Sequence, residues 1–165
     1  MDRRASDGEI RIVIVLFDLN VLLDLFLNRS PWAIEASSLW LAHADGFIKG
    51  HVSAASLPTL FYVMSRQLNR ERAFQGVDDC VQTLHVVPVD RQTVARARSL
   101  AGKDFEDDLQ IACAVEIGAD AIVSRDPSGF AHSPVPVFSP TELLQHLGNK
   151  ASSESSQGQA DESKS

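Results

Sequence analysis

The segment IVIVLF, residues 12–17, constrains the fold more than any other stretch of the chain. It is an unbroken apolar run with β-branched residues, closed by Asp18. A strand with one wet face alternates apolar and polar side chains, whereas this run has no polar face to offer water. It reads as a central strand covered on both sides, which calls for a layered α/β architecture. A secretory signal or membrane anchor would also place an apolar run after basic residues such as Arg3, Arg4 and Arg11. Asp18, Asn20 and Asp24 interrupt this one, and no small-residue cleavage site follows, so no membrane association is expected. Cys80 and Cys113 sit in mostly apolar helical segments with no metal-ligand spacing, so they read as reduced core residues of a cytoplasmic protein.

The rest of the chain supplies the layers. Residues 19–27 read as a short helix. Ser30 and Pro31 read as the N-cap and first position of a helix reaching about residue 43. A strand is expected at 47–53, helices at about 56–68 and 70–84, and a strand at 85–89. Asp90 then caps a helix to about residue 100, ended by Gly102. Asp104 opens the next helix, which Gly118 ends. Strands follow at 121–124 and 135–138, and Ser139-Pro140 begins a last helix to residue 147. This alternation predicts a three-layer α/β/α sandwich around a mostly parallel sheet of four to five strands. Residues 1–9 read as a flexible N-terminus and 10–147 as the one domain. Residues 148–165 lack large apolar side chains and read as a disordered polar tail.

In parallel sheets, ligands bind beyond the carboxyl ends of the strands. Asp18 follows the first strand, and Asp126 follows the segment AIVS. Each has an ordinary explanation, as a helix N-cap and as a turn residue before Pro127. They fall, however, on the same edge as KDFEDD, residues 103–108. Acids at a helix start satisfy free N–H groups and the helix dipole. Successive helical residues are about 100° apart, so Asp107 and Asp108 cannot both face one ion. Asp104 suits a cap through the amide of Asp107, and Glu106 is expected to face solvent. The helix beyond is apolar nearly all round, from Leu109 to Ile117, so it should lie deep with its N-terminus aimed at the sheet edge. Converging carboxylates favour a hard divalent cation such as Mg²⁺ or Mn²⁺, which activates water and stabilises developing charge in phosphoryl chemistry. With no cysteine cage and no Gly-rich phosphate loop, metal-dependent hydrolysis is favoured over nucleotide switching. The net charge of −7 argues against coating nucleic acid electrostatically, but not against gripping a few phosphates.

The segments FDLNVLLDLFLNRSPW, VSAASLPTLFYVMSR, DFEDDLQIACAVEIGADAIVSRDPSGF and VFSPTELL together resemble a PIN domain of the VapC-like branch. The resemblance covers about residues 10–147. It implies the α/β/α fold, an acidic Mg²⁺ or Mn²⁺ site and cleavage of RNA, as the toxin of a toxin–antitoxin pair. A small antitoxin and a second copy of the chain are the partners it implies. The family's metal-binding, catalytic acids fall on Asp18, Asp107 and Asp126. Asn20 matches the polar residue of the family's Asp-x-Asn motif and is expected to orient Asp18 or a bound water. Asp24 also matches, and an exposed or capping acid explains it equally well. The family usually has a glutamate in the helix after the second strand. Thr59 falls there as a supporting residue, and no acid lies between Asp45 and Glu71. Asp104 or Asp108 is the substitute considered for that missing charge. Arg125, beside Asp126, is the candidate contact to substrate phosphate, while the other arginines read mainly as solvated helix faces. His51 and His132 read as structural or exposed, not catalytic. Two rivals stand beside a metal-dependent ribonuclease. One is a PIN-fold module that binds RNA or protein without cutting, favoured by Thr59. The other is a dehalogenase-like phosphatase with Asp18 as nucleophile, disfavoured by Asn20 and by the lack of a later lysine motif.

Overall fold

A computed structural model of the chain describes the backbone of residues 11–161 and the side chains of 11–152. The segment expected to be a flexible N-terminus, 1–9, lies outside the described residues. Among the described residues, five strands form one parallel sheet: β1 (Val13–Phe17), β2 (Ile48–Ser53), β3 (His85–Val87), β4 (Ala121–Val123) and β5 (Val137–Phe138). Their order is β3-β2-β1-β4-β5, so β1 is central, as its unbroken apolar run demands. Between and after them lie α1 (Leu19–Phe26), α2 (Ala33–Ala44), α3 (Ser56–Gln67), α4 (Arg70–Thr83), α5 (Arg91–Leu100), α6 (Phe105–Glu116) and α7 (Pro140–Asp161).

The period-two alternation of β1 divides its side chains between two cores. Val13, Val15 and Phe17 pack with residues of α1 to α4 and α7. Leu16 faces the other way, against Ile111, Cys113 and Ala114 of α6. Helix α5 packs outside α6 through Ala97, Leu109 and Ala112. The molecule is therefore a three-layer α/β/α sandwich. Both cysteines are buried free thiols, and burial pushes Cys80 up to about 12. Among the described residues, no helix is long and apolar enough to cross a membrane.

Local chemistry moves several element ends from their expected places. β3 stops at Val87, because Pro88 has no N–H to extend the ladder. β5 starts at Val137, after Pro136, although the Pro136 carbonyl still accepts from Ile122 N at 2.9 Å. Ser30 and Pro31 do not open α2. Their peptide is cis, and residues 29–33 make a separate turn closed by Ala33 N donating to Arg29 O at 2.8 Å. Trp32 takes the N-cap position instead. Helix α5 ends through Ala101, which adopts a left-handed φ of 52°, and not through Gly102. Helix α7 does not stop at residue 147 but continues to Asp161, into the segment expected to be a disordered tail. That segment carries no proline and is mostly Ala, Ser, Gln, Glu and Lys, none of which blocks a helix.

Candidate active site

The carboxyl edge of the sheet gathers acids from three elements. Asp18 is the residue after β1, Asp126 comes three residues after β4, and Asp107 lies in the first turn of α6. Asp18 holds the N-cap position of α1, yet its side chain makes no cap hydrogen bond. Its Oδ2 accepts instead from Ser124 Oγ at 2.7 Å, and its backbone N–H donates to Val123 O at 2.9 Å. The carboxylate is 3% exposed, and burial holds its pKa above the usual range against the opposing hydrogen bonds from Ser124 and Gln110. Ser124 also accepts from Asp126 N at 3.1 Å, so one buried hydroxyl links the two acids. Asp126 is exposed, and its carboxylate accepts from the Ser128 hydroxyl.

The start of α6 divides its four acids among different tasks. Asp104 is the N-cap, and its Oδ1 accepts from Glu106 N at 2.8 Å and Asp107 N at 3.1 Å. Asp108 is buried and points away from Asp107, as their 100° separation requires. It accepts from Gly102 N at 3.0 Å and lies 2.7 Å from His132 Nε2. This explains Gly102: a Cβ there would collide with Asp108 Oδ1 and come within 2.6 Å of His132 Nε2. Asp107 turns toward the 3-10 turn Pro127–Phe130, where a Cβ on Gly129 would lie 2.9 Å from Asp107 Oδ2. Burial first, then the charges of Asp104, Asp18, Glu106 and Asp126, push Asp107 up to about 7. Glu106 does not face solvent as expected. Its Oε2 accepts from the Thr59 hydroxyl at 3.3 Å, and its Oε1 is shut off from water. Burial raises its pKa, Thr59 opposes this, and Asp104 and Asp18 add to the rise.

Beside these acids runs a groove of about 480 Å³, lined by Gly102, Lys103, Asp104, Asp107, Ser128 and His132 among others. A smaller hollow of about 270 Å³ lies at the amino edge of the sheet around Val13, Asp120 and His146, away from the acids gathered at the carboxyl edge. Among the described residues, no three His, Cys, Asp or Glu side chains already close on one point as metal ligands do. The acids of the carboxyl edge instead act on each other through their charges. That donor set is all hard oxygen and under-neutralised, which is the chemistry Mg²⁺ and Mn²⁺ take.

The remaining expected residues are placed as follows. Asn20 is half-buried in the first turn of α1. Asp24 is neither exposed nor a cap. It is 1% exposed and pairs with Arg125 Nε at 3.1 Å and Arg29 Nη1 at 3.7 Å. The Arg125 guanidinium also lies 4.1 Å from the centroid of the Trp32 ring, a cation–π contact. Its Nε and one face are thus occupied by Asp24 and Trp32. Sequence reasoning did not single out Ser124, Gln110 or the Asp108–His132 pair. Gln110 is 1% exposed, and its Oε1 accepts from Leu19 N at 3.3 Å, tying α6 to the start of α1.

The family model described as PIN domain matches residues 14–128. Ribonuclease VapC1 of Aquifex aeolicus is 27% identical over 125 residues, 71% of this chain and 84% of that protein. Among solved structures, Mycobacterium tuberculosis VapC20, a sarcin–ricin loop cleaving toxin, aligns with a TM-score of 0.61 at 14% identity. That alignment covers 71% of this chain and 93% of the other. A toxin–antitoxin complex from Klebsiella pneumoniae aligns with a TM-score of 0.58 at 20% identity, covering 76% and 97%.

Proposed function

The chain belongs to the PIN domain family, and on that premise we propose that it is a Mg²⁺- or Mn²⁺-dependent endoribonuclease, the toxin of a toxin–antitoxin pair. One observation carries this reading most directly. Asp18, Asp107 and Asp126 lie along the carboxyl edge of the sheet, where burial first and then neighbouring carboxylates, Asp18 and Asp126 among them, raise Asp107 to about 7. Such a cluster is unfavourable by itself and becomes favourable around a cation. Asp18, Asp107 and Asp126 are the residues that would hold it. A bound Mg²⁺ or Mn²⁺ would activate water and stabilise the charge that develops on a phosphodiester. The protein's own contribution is to orient those acids. Ser124 donates to Asp18, Gly129 leaves room for Asp107, and Ser128 donates to Asp126. Asn20 is assigned to orienting Asp18 or a bound water, and Thr59 to a supporting contact. Arg125 is the assigned contact to substrate phosphate, through the N–H groups that Asp24 and Trp32 leave open.

A ribonuclease relative and a toxin among the structural neighbours support the activity, and the toxin–antitoxin complex supports a small antitoxin as partner. A homodimer and action in the cytoplasm complete the reading. A second reading, a PIN-fold module that binds RNA or protein without cutting, draws on Thr59, which brings no charge to the site. The deciding experiment is cleavage of end-labelled single-stranded RNA with Mn²⁺, Mg²⁺ or EDTA, beside Asp107→Asn. The ribonuclease reading expects metal-dependent cuts that vanish in the variant. No cuts, or cuts that persist in the variant, would favour the binding module.

A further inference from the structure

One carboxylate oxygen at the amino end of α6 has no partner. Glu106 Oε1 is closed off from solvent and accepts no hydrogen bond, a costly state for a charged group. Its companion Oε2 is fixed by the Thr59 hydroxyl of α3 at 3.3 Å. The direction of the side chain follows from helix geometry. Glu106 and Gln110 are four residues apart and share one face of α6. Gln110 lies against the start of α1, accepting from Leu19 N at 3.3 Å and hydrogen-bonding the Asp18 side chain. Glu106 therefore lies on the face of α6 that meets α3, near enough to Asp18 for their charges to interact, while Asp107 turns toward Gly129. The other two acids of this turn have different work: Asp104 caps the helix, and Asp108 holds Gly102 N and His132.

Resting on the metal-dependent reading above, we propose that Glu106 is a further carboxylate ligand of the cation site, steadied by Thr59, and supplies from α6 the charge that α3 lacks. The unpartnered Oε1 is the atom that would meet the cation. Thr59 is a positioning residue: its hydroxyl holds one oxygen of the carboxylate and leaves the other free. On this account the threonine in α3 is the support of a relocated acid, and the site keeps enough negative charge for a hard divalent ion.

The test is Mn²⁺ binding to the full chain by isothermal titration calorimetry, with thermal melting of every variant. Glu106→Gln should weaken Mn²⁺ by at least the roughly 10- to 100-fold seen when an outer-shell partner of a metal ligand is lost, since here a ligand itself goes. It should also raise the metal-free Tm, since one repelling charge is gone, and shrink the rise in Tm that Mn²⁺ produces. The double variant Thr59→Glu with Glu106→Gln moves the acid back to α3 and should recover most of the affinity. A merely structural Glu106 would not be rescued in this way. Thr59→Val keeps the proposal testable if Glu106→Gln fails to fold: a smaller loss of Mn²⁺ affinity supports it, and unchanged affinity counts against it. Wild-type affinity in Glu106→Gln, with Asp107→Asn still weakened, overturns the role of Glu106 and leaves the metal site standing. Absence of Mn²⁺ binding in the wild type overturns both.

Discussion

Asp107 sits in surroundings whose effect on stability has a definite sign. Its carboxyl is raised from 3.8 to about 7, by burial and then by Asp104, Asp18, Glu106 and Asp126. In the unfolded chain the same group ionises near its ordinary value. Between these two values the folded state holds a proton that the unfolded state has lost, so stability falls as pH rises through that window. The contribution is fully present below the unfolded value and gone above about 7. Asp18 and Glu106, also raised, act in the same direction. The metal-free protein should therefore melt at lower temperature at pH 8 than at pH 5, and Asp107→Asn should flatten that difference. A slope unchanged by the substitution would show that Asp107 titrates normally. Mn²⁺ should raise the Tm most at the higher pH, where the acids are ionised and can bind it.

At the scale of elements, the start of α6 has to be capped and also has to bring charge to the site, and Asp104 separates the two demands. Asn caps a helix about as well as Asp, whereas Ala does not. Asp104→Asn should keep the bonds to Glu106 N and Asp107 N, remove one repelling charge and bring the Asp107 pKa down. Asp104→Ala should also lower that pKa but cost about 0.5–2 kcal/mol of stability. Urea unfolding and NMR titration of the Asp107 carboxyl separate the two outcomes. The same helix shows what the chain's sequence makes legible. Its apolar circumference from Leu109 onward announces burial on every side, and the run at 12–17 announces a central strand, because covering both faces leaves no room for polar alternation. Asp18 and Asp126 can be located because strand ends are marked by a change from apolar to polar residues. The direction of Glu106 cannot be read that way. It depends on α3 standing close enough for Thr59 to donate to it, a contact between residues 47 apart. The Asp108–His132 pair and the doubly used hydroxyl of Ser124 are invisible for the same reason: single polar residues carry no periodicity, and their partners come from other elements. Element ends at Val87 and Val137 were shifted by prolines whose effect on the ladder is local and simple.

Over the whole molecule, the net charge of −7 and the acidic edge oppose RNA, a polyanion. Binding to single-stranded RNA should therefore be weak in EDTA, improve when Mn²⁺ is added, and depend less on salt than binding by a basic domain. A filter-retention series in NaCl with and without Mn²⁺ checks this. Strong retention in EDTA would mean that exposed arginines, and not a bridging cation, carry the RNA. The position of β1 has a further consequence. Asp18 hangs from the strand shared by both cores, with its amide bonded to Val123 O inside the sheet. Its amide proton should exchange with solvent only through global opening. Asp126 stands on an exposed turn, and Asp107 in the first turn of a helix, the parts of a fold that fray first. The proposed site is thus bolted to the keystone at one end and to the margin at the other. On the ribonuclease reading proposed above, cleavage should be lost in rising urea while circular dichroism is still native, and dilution should restore it without a refolding delay.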